Sequence, residues 1–271
     1  MLRVEGLTKT FENHTAVRNL SFEAQRGEIV GLVGPNGAGK TTTLRSIVGI
    51  LPVKQGRILV CGNDVMLAEA AAKRCLCWVP DDPQPFDALT VDEHLEFTAA
   101  LYGVADWRGR ADQLLERFDL VEKKNALGGE LSRGMRQKLA FACAWLTSPR
   151  LVLLDEPLTG LDPRGIRSAK RAIAELAAEG SAVILSSHLL ELIQELATRI
   201  LIVDRGEKVF DGTLQQARET ITGTQGGSLE EIFLRVTDTQ RASNVGGATP
   251  ALGQDVAPGD WSSGGGGAGT S

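Results

Sequence analysis

The sequence predicts an α/β fold in which a buried, mainly parallel β-sheet is flanked by helices and interrupted by an all-helical insertion. Three observations carry that prediction. A short apolar run, Glu28 to Val33, enters a glycine-rich loop and then a helical pattern over Thr42 to Gly49. Two further apolar runs, Leu151 to Leu154 and Ala182 to Leu185, are each followed by helical spacing, the alternation expected of strands buried on both faces. From about residue 87 to 147 the spacing is helical and no strand run occurs.

Taken in order, residues 1–33 read as strands and turns. Leu2–Val4 and Leu20–Ala24 alternate, and Gln25-Arg26-Gly27-Glu28 marks a turn. Leu44, Ile47 and Val48 give the next segment its helical face, and Gly56 to Val60 reads as another strand. In the insertion, Val91, Leu95 and Phe97 and then Leu114, Leu115 and Phe118 repeat at helical spacing. Ser132 precedes a helix expected over Met135 to Leu146. The run at 182–185 is taken as the last core strand, and Ser228 caps a short amphipathic helix reaching Leu234. From about Ala242 the composition falls to Gly, Ala, Ser, Pro and Asp, which predicts a disordered tail over 242–271.

Composition narrows the function classes. At 271 residues, with 42% hydrophobic and 23% charged side chains, the chain can bury a sizeable core. A net charge of −5 argues against nucleic acid as a partner. The N-terminus lacks the apolar core of a signal peptide, and no run of about 18 apolar residues occurs. Any work at a membrane therefore needs a second polypeptide. Cys61, Cys75, Cys77 and Cys143 form no C-x-x-C pair, so free thiols in a reducing cytosol are expected. Cys75 and Cys77 are expected on one face of a strand.

The chemistry resides in two motifs. Gly34-Pro35-Asn36-Gly37-Ala38-Gly39-Lys40-Thr41, followed by Thr42, is a complete phosphate loop between a strand and a helix. Glycines let backbone N–H groups face phosphate oxygens, and the helix N-terminus adds a positive dipole end. Lys40 would reach the β/γ-phosphates and Thr41 would ligate Mg²⁺. The run at 151–154 ends in Asp155 and Glu156, and carboxylates ending a buried strand need compensation. A metal ion at Asp155 and a water activated by Glu156 would supply it. The two motifs together predict binding of a nucleoside triphosphate.

From residue 1 to about 235 the chain resembles the ATP-binding subunits of ABC transporters. The discriminating segment is Leu131-Ser132-Arg133-Gly134-Met135-Arg136-Gln137-Lys138, which is similar to the family signature L-S-G-G-Q and lies about twenty residues before the Asp155-Glu156 strand. Ser132 and Gly134, the phosphate-facing positions, are kept, whereas Arg133 and Met135 depart from the commonest wording. That wording is common in a branch of exporters with separate membrane subunits.

The resemblance implies a P-loop NTPase core with an N-terminal antiparallel β-subdomain, and it implies ATP and Mg²⁺. It makes Phe11 the aromatic that stacks on adenine, Asp162 part of the loop contacting a partner subunit, and His188 the histidine that contacts the γ-phosphate. Where the family has glutamine this chain has Asp81, a carboxylate able to approach Mg²⁺ or the attacking water but adding negative charge beside the phosphates. The resemblance also implies an ATPase domain over 1–222, with its helical subdomain at about 87–147, and a helical segment over 223–241. Ser132 to Met135 would act in trans in a head-to-tail dimer, formed with a second copy or a related ATPase. The partner would be an integral membrane permease, gripped by the insertion around Trp78 to Trp107, with the chain peripheral on the cytoplasmic face. A soluble ATPase of the same class, acting in assembly or translation, is the rival reading.

Overall fold

The computed structural model describes residues 1–222 and 228–235. The chain opens with β1 (Leu2–Phe11) and β2 (His14–Ala24), an antiparallel hairpin turned by Glu12 and Asn13. Next come β3 (Ile29–Val33), α1 (Lys40–Val48), β4 (Gln55–Val60), the short β5 (Asn63–Asp64), α2 (Glu69–Lys73) and β6 (Leu76–Val79). The insertion holds α3 (Val91–Tyr102), α4 (Trp107–Arg117) and α5 (Arg133–Leu146). The core then resumes with β7 (Leu151–Asp155), α6 (Pro163–Ala178), β8 (Ala182–Ser186) and α7 (Leu190–Leu196). It ends with β9 (Arg199–Asp204), β10 (Glu207–Gly212), α8 (Leu214–Ala217) and a helix α9 at 229–235.

Two sheets result. One is antiparallel in the order β2-β1-β4-β5, and the other runs β10-β9-β3-β8-β7-β6. Every pairing in the second is parallel except β9 with β10. The central strands β3, β7 and β8 are buried along their whole length and read as apolar runs because both faces are covered. Val152 and Leu154 of β7 face the helical core with Phe141, Trp145 and Ile173, while Leu151 and Leu153 face the other core with Leu7, Leu44 and Ile58. Within the helical layer the rings of Phe118, Phe141 and Trp145 pack at centroid distances of 5.3 to 6.3 Å. Such pairs contribute about 0.5–1.5 kcal/mol each beyond area burial.

Several expectations are corrected. β8 is not the last core strand, since β9 and β10 follow it on the far side of β3. The helix expected from Met135 begins at Arg133, because Ser132 is its N-cap. Cys75 and Cys77 do not share a face. Cys75 precedes β6 and packs with Cys61 in one core, whereas Cys77 packs in the other beside Cys143. Burial pushes the Cys77 thiol up to about 12 and that of Cys143 to about 11. The expected cap at Ser228 is present, with its Oγ accepting the Glu231 N–H at 3.2 Å. The tail expected over 242–271 lies outside the described residues, as do 223–227 and 236–241. Among the described residues, no helix is long and apolar enough to cross a membrane.

Candidate functional site

Parallel strands place their carboxyl ends on one edge, and the site is built there. The phosphate loop leaves β3, Asp155 ends β7 with Glu156 directly after it, Ser187 and His188 leave β8, and Asp81 follows β6. A cavity of about 480 Å³ opens there, lined by Phe11, His14, Ala16, Asn36–Thr42, Asp81, Asp155 and Glu156; His188 does not line it and reaches it only through Glu156.

The loop has its shape for steric reasons. Gly37 and Gly39 hold φ of +81° and +100°, conformations L side chains rarely adopt. A Cβ on Gly39 would lie 2.4 Å from the Ala16 carbonyl oxygen, and one on Gly34 would lie 2.3 Å from that of Val203. Gly34 and Pro35 present their carbonyl oxygens to the Lys40 ammonium, which donates to them at 2.6 and 3.2 Å. Burial lowers the Lys40 pKa, and the carboxylates of Glu156 and Asp155 oppose that shift. A buried ammonium under a glycine loop at a helix N-terminus is built to receive an anion.

Asp155 is buried, which raises its carboxyl above the ordinary range. The neighbouring Thr41 and Ser186 hydroxyls act against that rise, and the charges of Glu156 and Asp81 add to it. A cation beside Asp155 would relieve it. Among the described residues no three His, Cys, Asp or Glu side chains converge as metal ligands. Thr41 and Asp155 nevertheless fit Mg²⁺, which is bound through one or two carboxylates while phosphate oxygens and waters complete its shell.

Glu156 sits at φ +47°, a left-handed conformation uncommon outside glycine, and its N–H donates to the Ser186 carbonyl at 2.9 Å. Its Oε2 accepts from Ser187 Oγ at 3.2 Å and from His188 Nδ1 at 2.7 Å. The side chain is largely sheltered, so a carboxylate oriented by a histidine stands at the cavity wall.

Phe11 ends β1 as an exposed residue, with the Lys9 ammonium 5.3 Å from its ring centroid. His14 is its cross-strand neighbour and lines the same cavity. The sequence reading did not include His14, although recognising Glu12-Asn13 as a hairpin turn would have placed it opposite Phe11.

The signature residues stand elsewhere. Ser132 caps α5, its Oγ accepting the Met135 N–H at 3.4 Å, and neither residue lines the cavity. Gly134 lets α5 approach the next loop, since a Cβ there would lie 2.6 Å from the Gly160 carbonyl oxygen. Arg133 reaches back to Asp81 at 3.0 Å. Asp162 caps α6 through the Gly165 N–H at 3.0 Å, and that bond leads the lowering of its pKa.

The ABC transporter family model matches residues 17–159. ABC-type transporter ATP-binding protein EcsA of Bacillus subtilis is 32% identical over 88% of this chain and 96% of its own length. SkfA peptide export ATP-binding protein SkfE of the same organism is 36% identical over 81% and 92%. The solved structure of an ATP-binding subunit of an ABC transporter superposes with a TM-score of 0.84, at 31% identity, over 88% of this chain and 99% of that one. With the phosphate loop, the strand-end carboxylates and these relatives in agreement, the chain belongs to the ABC transporter family as one of its ATP-binding subunits.

Proposed function

We propose that this chain hydrolyses ATP and that the hydrolysis powers a separate membrane permease working in export. The observation that carries the reading is the Glu156–His188 pair at 2.7 Å beside the phosphate loop. A triphosphate would lie along the loop amides with its β/γ end at Lys40 and its base against Phe11. Thr41 and Asp155 would hold Mg²⁺, which supplies charge neutralisation on the phosphates. Glu156 would take the proton of the attacking water, and His188, through its Nδ1 contact at 2.7 Å, would hold that carboxylate in place. Ser132, Gly134 and Met135 lie away from this cavity, which favours their use on the nucleotide of a second protomer.

The permease contact is assigned to the helical layer, where Phe86, Phe97 and Leu101 are 58%, 46% and 66% exposed. Phe86 and Phe97 meet edge to face at 5.6 Å, and Phe86 stacks on His94. His94 Nε2 accepts the Phe86 N–H at 2.9 Å, which fixes this apolar surface. Exposed aromatics grouped in this way suit a protein contact. Export follows from the signature wording and from the peptide-export name of SkfE.

The test is Glu156→Gln in two assays. ATP turnover should fall by roughly 10² to 10⁴, the usual worth of a general base, while nucleotide affinity stays. Purified gently in detergent with ATP, the variant should bring a polytopic membrane protein with it. Near-normal turnover refutes the catalytic assignment, and a soluble complex in place of a permease refutes the transport role.

A further inference from the structure

Two of the positions at which this chain departs from the family wording, Asp81 and Arg133, touch each other. Arg133 Nη2 donates to Asp81 Oδ1 at 3.0 Å, although 52 residues separate them. One turn along α5, Arg136 faces Asp82 at 3.7 Å, and Gln84 holds Asp82 from the other side at 2.7 Å. Residues three apart on a helix share a face, so α5 presents two guanidinium groups to two consecutive carboxylates. The Arg133 stem also covers Gly160, where a Cβ would lie 3.4 Å from its Cγ and Cδ.

Asp81 belongs to the cavity wall together with Asp155 and Glu156. The nearby cation of the loop, Lys40, already faces both strand-end carboxylates. An uncompensated third carboxylate would repel a polyphosphate entering this cavity. Arg133 supplies the missing positive charge from the same chain. We propose that Arg133 is a positioning residue for nucleotide binding in its own protomer: it offsets and holds the Asp81 carboxylate at the cavity wall. A signature residue then serves the site of its own chain, separately from any role across a dimer.

The inference rests on the nucleotide reading of the cavity, and the experiment separates the two. A fluorescent ADP analogue is titrated with Mg²⁺ into wild type, Arg133→Ala, Asp81→Asn and the double variant. ADP lacks the γ-phosphate that the partner's signature is expected to face, so trans contacts drop out. Arg133→Ala should bind about two- to fivefold more weakly, the range of a half-exposed ion pair. Asp81→Asn should bind at least as tightly as wild type, and the double variant should match Asp81→Asn. Arg133→Lys should recover most of the loss, and added salt should shrink it. Unchanged affinity in Arg133→Ala overturns the proposal, as does an equal loss with and without Asp81, which would mark a structural role. Should Arg133→Ala fail to fold, Asp81→Asn and Arg133→Lys still decide, and weakened binding in Asp81→Asn overturns it. Wild-type protein that binds no ADP refutes the nucleotide reading and the proposal with it.

Discussion

Alanine at Gly39 and alanine at Gly37 should differ sharply, although both glycines belong to one loop at positive φ. At Gly37, φ is +81° and an added Cβ meets nothing within 4 Å. The cost is then left-handed strain of about 1–2 kcal/mol, less the gain from stiffening the unfolded chain, which leaves about 1 kcal/mol. At Gly39, φ is +100° and the Cβ would lie 2.4 Å from the Ala16 carbonyl oxygen. That oxygen cannot retreat freely, because it also lies 2.7 Å from the Cβ position of Gly206, and Arg18 of the same strand donates to the Gly206 carbonyl. Overpacking of this kind adds about 1–3 kcal/mol, for a total of about 2–4 kcal/mol. Urea unfolding of the nucleotide-free variants, followed by tryptophan fluorescence, reads the difference. A Gly39→Ala protein as stable as Gly37→Ala would refute the argument that β2 sets the shape of the loop.

Three further outcomes are expected. Lys40→Ala should weaken nucleotide binding by roughly ten- to a hundredfold, the value of one or two hydrogen bonds from a charged donor, and unchanged affinity in a filter assay contradicts that role. Asp155 has its carboxyl raised by burial, so its contribution to folding is fully favourable below the ordinary value of 3.8 and is lost as pH climbs through the raised one. Asp155→Asn should therefore melt above wild type at pH 7 without nucleotide, and a calorimetric scan should show the gap closing towards pH 3. Phe97→Glu should abolish permease co-purification while nucleotide affinity holds, and an intact complex would move the docking surface elsewhere.

The local parts of the site were legible because each is written in consecutive residues. The run of β3, its loop and α1 form one uninterrupted pattern, and the acids at 155–156 end a run that only a doubly covered strand explains. Pairings between distant segments were not legible. Nothing near Asp81 announces Arg133, and His14 becomes part of the cavity only once β1 and β2 are paired. Ile200–Val203 is as apolar as β8, yet its place beside β3 follows from the crossover, which no local pattern records. The cysteines were misassigned because Cys75 lies one residue before β6, where alternation has not begun.

The backbone at Glu156 sets durability against the role proposed for its carboxylate. Left-handed φ at a residue with a long side chain carries about 1–2 kcal/mol of strain, and it precedes Pro157, so the peptide has little freedom to relax. A library selected for heat tolerance alone should drift at this position to glycine or asparagine, gaining melting temperature as it discards the carboxylate that His188 holds. Designers who stabilise this chain by family averages or by saturation should therefore hold position 156 fixed and seek their increments elsewhere.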